Sequence, residues 1–152
     1  MTNRFLKRGG RIYELSKIKA LNFAEAYYQL HCKRWNKPPF AFKGVEQLVK
    51  ERDDMLCGNI LVIDDNVPVA VQFLLMAESP EWINVEYING GMDPKYSDLS
   101  VGSILLYANT SKMVDYAESK NKSLRYSFGY CGSPGYKARY CQGVYFYKSV
   151  IC

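Results

Sequence analysis

Histidine is almost absent from these 152 residues, and no two cysteines have the spacing of a metal site. The single histidine, His31, and the five scattered cysteines therefore form no zinc pattern, and His31 is more typical of a packed structural residue than of a ligand. The odd cysteine number without a signal peptide predicts reduced thiols. No P-loop, dinucleotide fingerprint or Ser-His-Asp order occurs, and no apolar run is long enough for a transmembrane helix.

Positive charge, in contrast, is in excess. The formal net charge is +5, and lysines and arginines concentrate towards both ends of the chain. Such a distribution is typical of a solvated basic face, and the alternative is a surface for a phosphate-bearing ligand or an anionic membrane. The charge is modest and no recognition motif accompanies it, so we do not expect nucleic-acid binding.

The length suits one domain with its own core, and we assign residues 1–152 to it. Residues 1–10 resemble the last turn of a basic helix that stops at Gly9-Gly10, the remnant of a preceding element. This pattern predicts that the chain is the C-terminal domain of a longer protein.

Hydrophobic periodicity predicts a strand, two helices, three strands, a helix and two further strands. A helix crosses between the strands at Val85 and Tyr126, so those two strands should be parallel, whereas the hairpin before them is antiparallel. The sequence thus predicts an α+β domain with a mixed, mostly antiparallel sheet and helices on both faces. The predicted elements are Arg11–Leu15, Lys17–Trp35, Gly44–Met55, Asn59–Ile63, Val67–Met76, Trp82–Asn89, Ser100–Lys120, Ser123–Phe128 and Val144–Val150.

The segment between the fourth predicted strand and the helix that follows it is the most suggestive of a ligand site. Gly90-Gly91 is interpreted as the stop of one strand and Asp93-Pro94 as a turn before the next helix. Free amides and the helix dipole at that helix end favour a phosphate or carboxylate.

Four residues at this helix end are therefore candidate cofactor-binding residues: Ser100, Val101, Gly102 and Ser103. Ser100 is a good N-cap, and Gly102 allows a ligand to approach the backbone. Ser103 stands where a glutamate would close a capping box over the same N–H groups. The alternative is that Ser100 only caps the helix and Gly102 only packs against the sheet.

The order of elements resembles the GNAT acyltransferase fold, and three motifs resemble its FemAB/CelD-like branch. These are Lys33-Arg34-Trp35 at a helix end, a stretch with Asp93, Pro94, Tyr96, Ser100, Gly102 and Leu105, and in part Gly132, Tyr136, Lys137 and Arg139. The resemblance covers about Gly9 to Tyr147. Within the branch it extends to the Mig-type proteins that help enteric bacteria withstand antimicrobial peptides.

The resemblance implies an acyltransferase that takes an acyl group from acyl-CoA, or an aminoacyl group from a similar donor such as aminoacyl-tRNA. The acceptor would be an amine or hydroxyl of a small molecule or a cell-envelope component. Backbone amides at Ser100 to Ser103 would bind the donor's pyrophosphate, and no metal is implied. We expect a bacterial, virulence-related protein in the cytoplasm, with association at the inner-membrane surface as one option.

Amine acylation needs a base for the ammonium and an acid for the leaving thiolate. Glu86, in the strand before the site, is the candidate base, or else an exposed residue of a polar face. Tyr136 is the candidate proton donor, and Tyr130 is a second tyrosine that donates or binds substrate. Lys137 and Arg139 would neutralise phosphate or an acidic acceptor. For the tyrosines the alternative is packing, and for the two cations it is a solvated surface.

Two departures from the family pattern support a second hypothesis. Family members are longer, and their acidic residue near the last parallel strand is replaced here by Ser127-Phe128-Gly129. A carboxylate that would orient the acceptor is thus missing. The alternative function is a non-catalytic GNAT-like module that binds a partner or a membrane surface and contributes to peptide resistance. If the chain is a fragment with an exposed apolar face, we expect a homodimer.

Overall fold

The computed structural model describes residues 2–15, 20–40, 42–64 and 66–129. Within them, a single five-stranded sheet has the strand order β1-β2-β3-β4-β5. In chain order the elements are α1 (Thr2–Lys7), β1 (Arg11–Glu14), α2 (Ala20–Trp35), α3 (Phe42–Glu51), β2 (Asn59–Ile63), β3 (Val67–Glu78), β4 (Trp82–Met92), α4 (Val101–Ser119) and β5 (Ser123–Ser127). Short 3₁₀ helices lie at Asp53–Met55 and Pro94–Leu99.

The sheet is mixed, as the sequence predicts. β1 to β4 pair antiparallel with one another in chain order, and β5 pairs parallel with β4. The parallel pair follows from the crossover helix α4, which returns the chain to the same end of the sheet. The α+β prediction with a mostly antiparallel sheet is therefore confirmed.

Helices cover both faces of the sheet. α2 and α3 pack on one face through a cluster that includes Phe23, Tyr27, Leu30, Val49 and Phe73. α4 packs on the other face against alternate residues of β2, β3 and β4. The short helix α1 contributes the wholly buried Phe5 to this second core, so α1 packs as part of the domain.

The Gly90-Gly91 pair lies inside β4, so the prediction that it stops the strand is wrong. A Cβ on Gly91 would lie 2.4 Å from the backbone of Leu30 and His31, because α2 crosses directly over this point of the strand. A Cβ on Gly90 would lie 2.8 Å from the Val71 carbonyl oxygen. The glycines serve close packing of a helix on a strand rather than a turn.

Several element ends also differ from the sequence prediction. The second predicted helix begins at Phe42 and ends at Glu51, and Met55 belongs to a separate 3₁₀ helix. β3 and β4 extend beyond the predicted Met76 and Asn89. The start predicted at Lys17 and the strand predicted at Val144–Val150 lie outside the described residues.

The packing at Gly91 makes a testable prediction about stability. Gly91→Ala should lower the free energy of unfolding by about 1–3 kcal/mol, since the added methyl overlaps backbone atoms that cannot move aside. The matched control is Gly44→Ala in α3, where a Cβ meets nothing within 4 Å. Because alanine is the better helix former, Gly44→Ala should leave stability unchanged or raise it by up to about 1 kcal/mol. Urea unfolding midpoints measure both; equal effects of the two changes would contradict this account of the α2–β4 contact.

Candidate functional site

A cleft opens where β5 separates from β4. The two strands pair from Trp82 and Ser123 to Glu86 and Ser127. β4 continues to Met92 with β3 alone as its partner among the described residues. Ile88 is an extra residue in β4 at this point, since the register passes from Tyr87 directly to Asn89 on the β3 side. A bulge of this kind increases the local twist and helps two neighbouring strands to part.

The cleft has a volume of about 220 Å³. Its walls come from the first turn of α4, from β3 and β4, from Arg34 of α2 and from Phe128 just after β5. The four predicted cofactor-binding residues, Ser100, Val101, Gly102 and Ser103, all line it. The predicted helix end thus faces the space between the two parallel strands.

The first turn of α4 leaves two backbone donors uncovered. The Ser100 carbonyl oxygen accepts hydrogen bonds from the N–H groups of Ser103 at 3.0 Å and Ile104 at 3.1 Å. The N–H groups of Val101 and Gly102 have no helical acceptor, and no other acceptor reaches them in the part of the chain that the structure describes. With the partial positive charge of the helix end, they make this corner of the cleft suitable for an anion.

The side chain of Ser100 does not cap α4, contrary to the sequence prediction. Ser100 has the left-handed conformation (φ 54°, ψ 38°), and its hydroxyl makes no capping hydrogen bond. A side chain in that conformation costs about 1–2 kcal/mol. The reason is the 3₁₀ helix at Pro94–Leu99, which runs directly into α4 and forces a sharp reversal at one residue. The result is a helix end whose donors remain open to the cleft.

Asp93 anchors the turn that precedes this helix end. Its Oδ1 accepts from the Lys95 N–H at 3.0 Å, and its Oδ2 accepts from Lys33 Nζ at 2.7 Å. Its own N–H donates to the Val69 carbonyl oxygen at 2.9 Å. Burial raises the pKa of Asp93, but the bonds from Lys33 and Lys95 and their positive charges outweigh it, so the pKa lies below its ordinary value.

Arg4 of α1 and Arg8, just after α1, hold the 3₁₀ helix at Pro94–Leu99 from outside. Arg8 and Arg4 donate to Asp98 Oδ2 at 2.9 and 3.4 Å. The groups are about half exposed, and such pairs contribute little stability each. Their effect is to fix the position of α1 against the segment that leads into α4.

A chain of buried amides lies under α4. Asn109 is wholly buried, and its Oδ1 accepts from the Asn59 N–H at 2.6 Å and from Asn59 Nδ2 at 3.0 Å. Asn109 Nδ2 donates to Gln72 Oε1 at 2.7 Å. Gln72 is only 8% exposed and lines the cleft. The cleft floor therefore includes a polar side chain that the protein orients from within.

The other predicted site residues are distributed as follows. Glu86 is exposed and does not line the cleft, because Val85 and Tyr87 point towards α4 and Glu86 to the opposite face of β4. Its role as a base remains a prediction. The predicted Tyr130, Tyr136, Lys137 and Arg139 lie outside the described residues.

Two potentially reactive side chains lie away from the cleft. Cys57 is buried in the core beneath α4, and burial raises the pKa of its thiol to about 12, so it is not a thiolate at neutral pH. His31 is 3% exposed, with Nδ1 at 3.0 Å from the Lys37 carbonyl oxygen and Nε2 at 3.1 Å from Asn89 Nδ2. A carbonyl only accepts, so Nδ1 carries the proton and Nε2 accepts from Asn89. His31 is a structural residue.

Sequence reasoning did not assign the cleft residues Arg34, Gln72 and Tyr87 to the site. In the sequence Arg34 belongs only to the Lys33-Arg34-Trp35 motif, and in the structure its guanidinium lies 4.5 Å from the Trp35 ring centroid. The sequence does indicate that Gln72 is unusual, because it is a lone amide inside the apolar run of β3. A buried amide needs hydrogen-bond partners. Asn109 gives the same signal on the buried side of α4.

Within the described residues, no group of three or more ligand side chains could hold a metal ion. In the same residues, no helix combines the length and hydropathy that crossing a membrane requires.

This architecture matches solved acetyltransferases. An aminoglycoside acetyltransferase from an uncultured soil metagenomic sample aligns with a TM-score of 0.60 and 13% identity over 95% of this chain and 99% of that one. The aminoglycoside 6'-N-acetyltransferase of Acinetobacter baumannii aligns with a TM-score of 0.57 and 13% identity, over 93% of this chain and 99% of that one. An aminoglycoside N-acetyltransferase in complex with CoA aligns with a TM-score of 0.58 and 14% identity, over 94% of this chain and 95% of that one.

The fold is thus the GNAT acetyltransferase fold. The sequence profile of the Mig-14 family matches residues 1–149, so the chain belongs to the Mig-14 family. None of the curated proteins matches the sequence.

The environment of Asp93 predicts a pH-dependent contribution to stability. Its pKa is lower in the folded protein than in the unfolded chain, so its contribution is complete above the unfolded pKa of about 4 and is lost as the pH falls through the folded value. Asp93→Asn should therefore cost about 1 kcal/mol of unfolding free energy at pH 7 and progressively less below about pH 4.

Asp115→Asn, on the exposed face of α4, is the control for loss of one negative charge. Chemical unfolding of the three proteins at several pH values measures the effect. A difference between wild type and Asp93→Asn that does not shrink in acid would contradict the assignment.

Proposed function

We propose that this protein is an acyltransferase that takes an acyl group from acyl-CoA, or an aminoacyl group from a similar donor, and passes it to an amine or hydroxyl. The observation that carries the proposal is the uncapped first turn of α4, which opens into the cleft where β4 and β5 part. The donor's pyrophosphate would bind the N–H groups of Val101 and Gly102. Its acyl end would extend into the gap between the strands.

The acceptor would approach from the other face of the sheet. On the α4 side of β4, Tyr87 lines the cleft, and on the α2 side Glu86 and Ile88 are exposed. A donor that reaches through the gap would present its carbonyl carbon to an acceptor on the Glu86 side. In this arrangement Glu86 would remove the acceptor's proton, and Tyr136 would protonate the leaving thiolate.

The narrower parts of the proposal rest on the family and on the motifs shared with the FemAB/CelD-like branch. They favour an acceptor from the cell envelope and a role in resistance to antimicrobial peptides. A cytoplasmic location at the inner-membrane surface is consistent with the basic ends of the sequence. The self-association of the chain as a homodimer is part of the same proposal.

A second candidate function is a binding module without catalysis. The observation that favours it is the lining of the cleft, which contains no carboxylate and no histidine among the described residues. Such a protein would bind the donor, or a part of it, and transfer nothing.

The proposal predicts that a negative charge on the first turn of α4 weakens donor binding without unfolding the protein. A Cβ on Gly102 would meet only Met92 Sδ at 3.5 Å, an ordinary contact, so Gly102→Asp fits sterically. The carboxylate suits the positive helix end and should keep or raise stability. It would occupy the two free N–H groups and repel pyrophosphate, and we expect at least about a tenfold weaker Kd for acetyl-CoA.

The matched control is Gly44→Asp, which makes the same change in the first turn of α3 far from the cleft. Isothermal titration with acetyl-CoA, together with thermal unfolding, separates the two variants. Equal Kd values for wild type and Gly102→Asp would overturn the donor site. If binding is lost as predicted but wild type releases no free thiol with any amine or hydroxyl acceptor, the binding module is the better description.

A further inference from the structure

The backbone N–H of Asn59 fixes the orientation of the Asn109 side-chain amide, and Asn109 in turn fixes that of Gln72. The atom of Asn109 that lies 2.6 Å from the Asn59 N–H must be oxygen, since a backbone N–H only donates. Asn109 therefore presents Nδ2 to Gln72 at 2.7 Å, and the Gln72 atom there must be an acceptor. The Gln72 amide consequently cannot turn, and Nε2 is its remaining end.

That remaining end is a hydrogen-bond donor in the cleft. Gln72 is 8% exposed and lines the cleft. In the part of the chain that the structure describes, no acceptor contacts its Nε2. Nε2 is accessible from the cleft rather than sealed in the core. A donor that the protein holds in one orientation at the floor of a cleft points to a ligand that supplies the acceptor.

We infer that Gln72 Nε2 donates a hydrogen bond to a carbonyl oxygen of the acyl donor, and that Asn109 and Asn59 hold it in the donating orientation. The inference rests on the proposed function and adds a specificity-determining residue to it. Gln72 is a positioning contact for the donor, while Asn109 and Asn59 act through Gln72.

The location of Gln72 favours a neutral carbonyl over a phosphate. Asn109, which touches Gln72, lies eight residues after Val101 and so about 12 Å along α4 from the anion-binding end. The cleft between them is lined in part by Leu105 and Leu106, which suits the uncharged arm of a donor. Gln72 carries no charge, so it complements a carbonyl oxygen without attracting a second anion. An extended donor would place its phosphates at the helix end and a carbonyl at Gln72.

The first test compares three ligands: acetyl-CoA, CoA, and the phosphorylated ADP portion of CoA alone. Gln72→Glu keeps an oxygen towards Asn109 and replaces the donor, while Gln72→Met removes the donor without adding a charge. Both should weaken the binding of a ligand that carries the recognised carbonyl by about tenfold. Both should leave binding of the ADP portion unchanged. The control is Gln47→Met in the exposed face of α3.

The outcomes separate the inference from the proposed function. A loss limited to acetyl-CoA supports the inference and assigns the bond to the thioester carbonyl. A loss shared by acetyl-CoA and CoA, but not by the ADP portion, supports it and assigns the bond to an amide carbonyl of the pantetheine arm. Equal loss for all three ligands, or no loss, overturns the inference while the donor site stands. Wild type that binds none of the three refutes the proposed function and the inference with it.

The second test changes the orientation of Gln72 without changing the cleft lining. Asn109→Asp places an oxygen opposite Gln72 Oε1, so the Gln72 amide should turn and present its oxygen to the cleft. We expect the same selective loss of carbonyl-bearing ligands in a protein that still unfolds cooperatively. Ligand binding equal to wild type in folded Asn109→Asp would overturn the role of the amide chain.

Discussion

The rest of the structure depends on one constraint: β4 pairs with its two neighbouring strands over unequal lengths. β3 pairs with β4 along nearly its whole length, whereas β5 pairs only as far as Glu86. Beyond that point β4 is held on one side by β3 and on one face by α2, which lies directly on its backbone at Gly91. Among the described residues, the cleft therefore opens beside a strand that the rest of the fold holds in place.

The open end of α4 depends on the same strand. β4 ends at Met92, and Asp93 then ties the chain to Val69 of β3 and to Lys33 of α2. The 3₁₀ helix that follows is therefore fixed at its start, and the reversal into α4 falls on Ser100. A left-handed serine with no capping bond is a local cost that only a well-determined surrounding can maintain. What the protein gains is a helix end whose donors are available to a ligand.

The sequence was sufficient to predict the order of elements from β1 to β5, the parallel β4–β5 pair and the segment Ser100–Ser103 that lines the cleft. Periodicity and turn chemistry are local, and they carry this information. The role of Gly91 could not be predicted, because a glycine pair has the same local appearance at a strand end and beneath a crossing helix. The orientation of the Ser100 hydroxyl could not be predicted either, because it depends on the 3₁₀ helix that precedes α4. Gln72 and Asn109 are recognisable as lone amides in apolar surroundings, but that they meet each other depends on the packing of α4 on β3.

The nature of the cleft lining bears on the acceptor. Among the described residues that form it, none is a carboxylate or a histidine, so proton removal on the α4 side would have no base. A lysine-like amine has a pKa of about 10.4, so at pH 7 its protonated form exceeds the free amine by about 2,500-fold. An α-amino group with a pKa of about 8 is already about one-tenth deprotonated at pH 7. Under the proposed function the acceptor would therefore be of the second kind, or would meet Glu86 on the far face of β4. Because Glu86 and the cleft lie on opposite faces of one strand, transfer to an acceptor at Glu86 would require the acyl group to pass beside the bulge at Ile88.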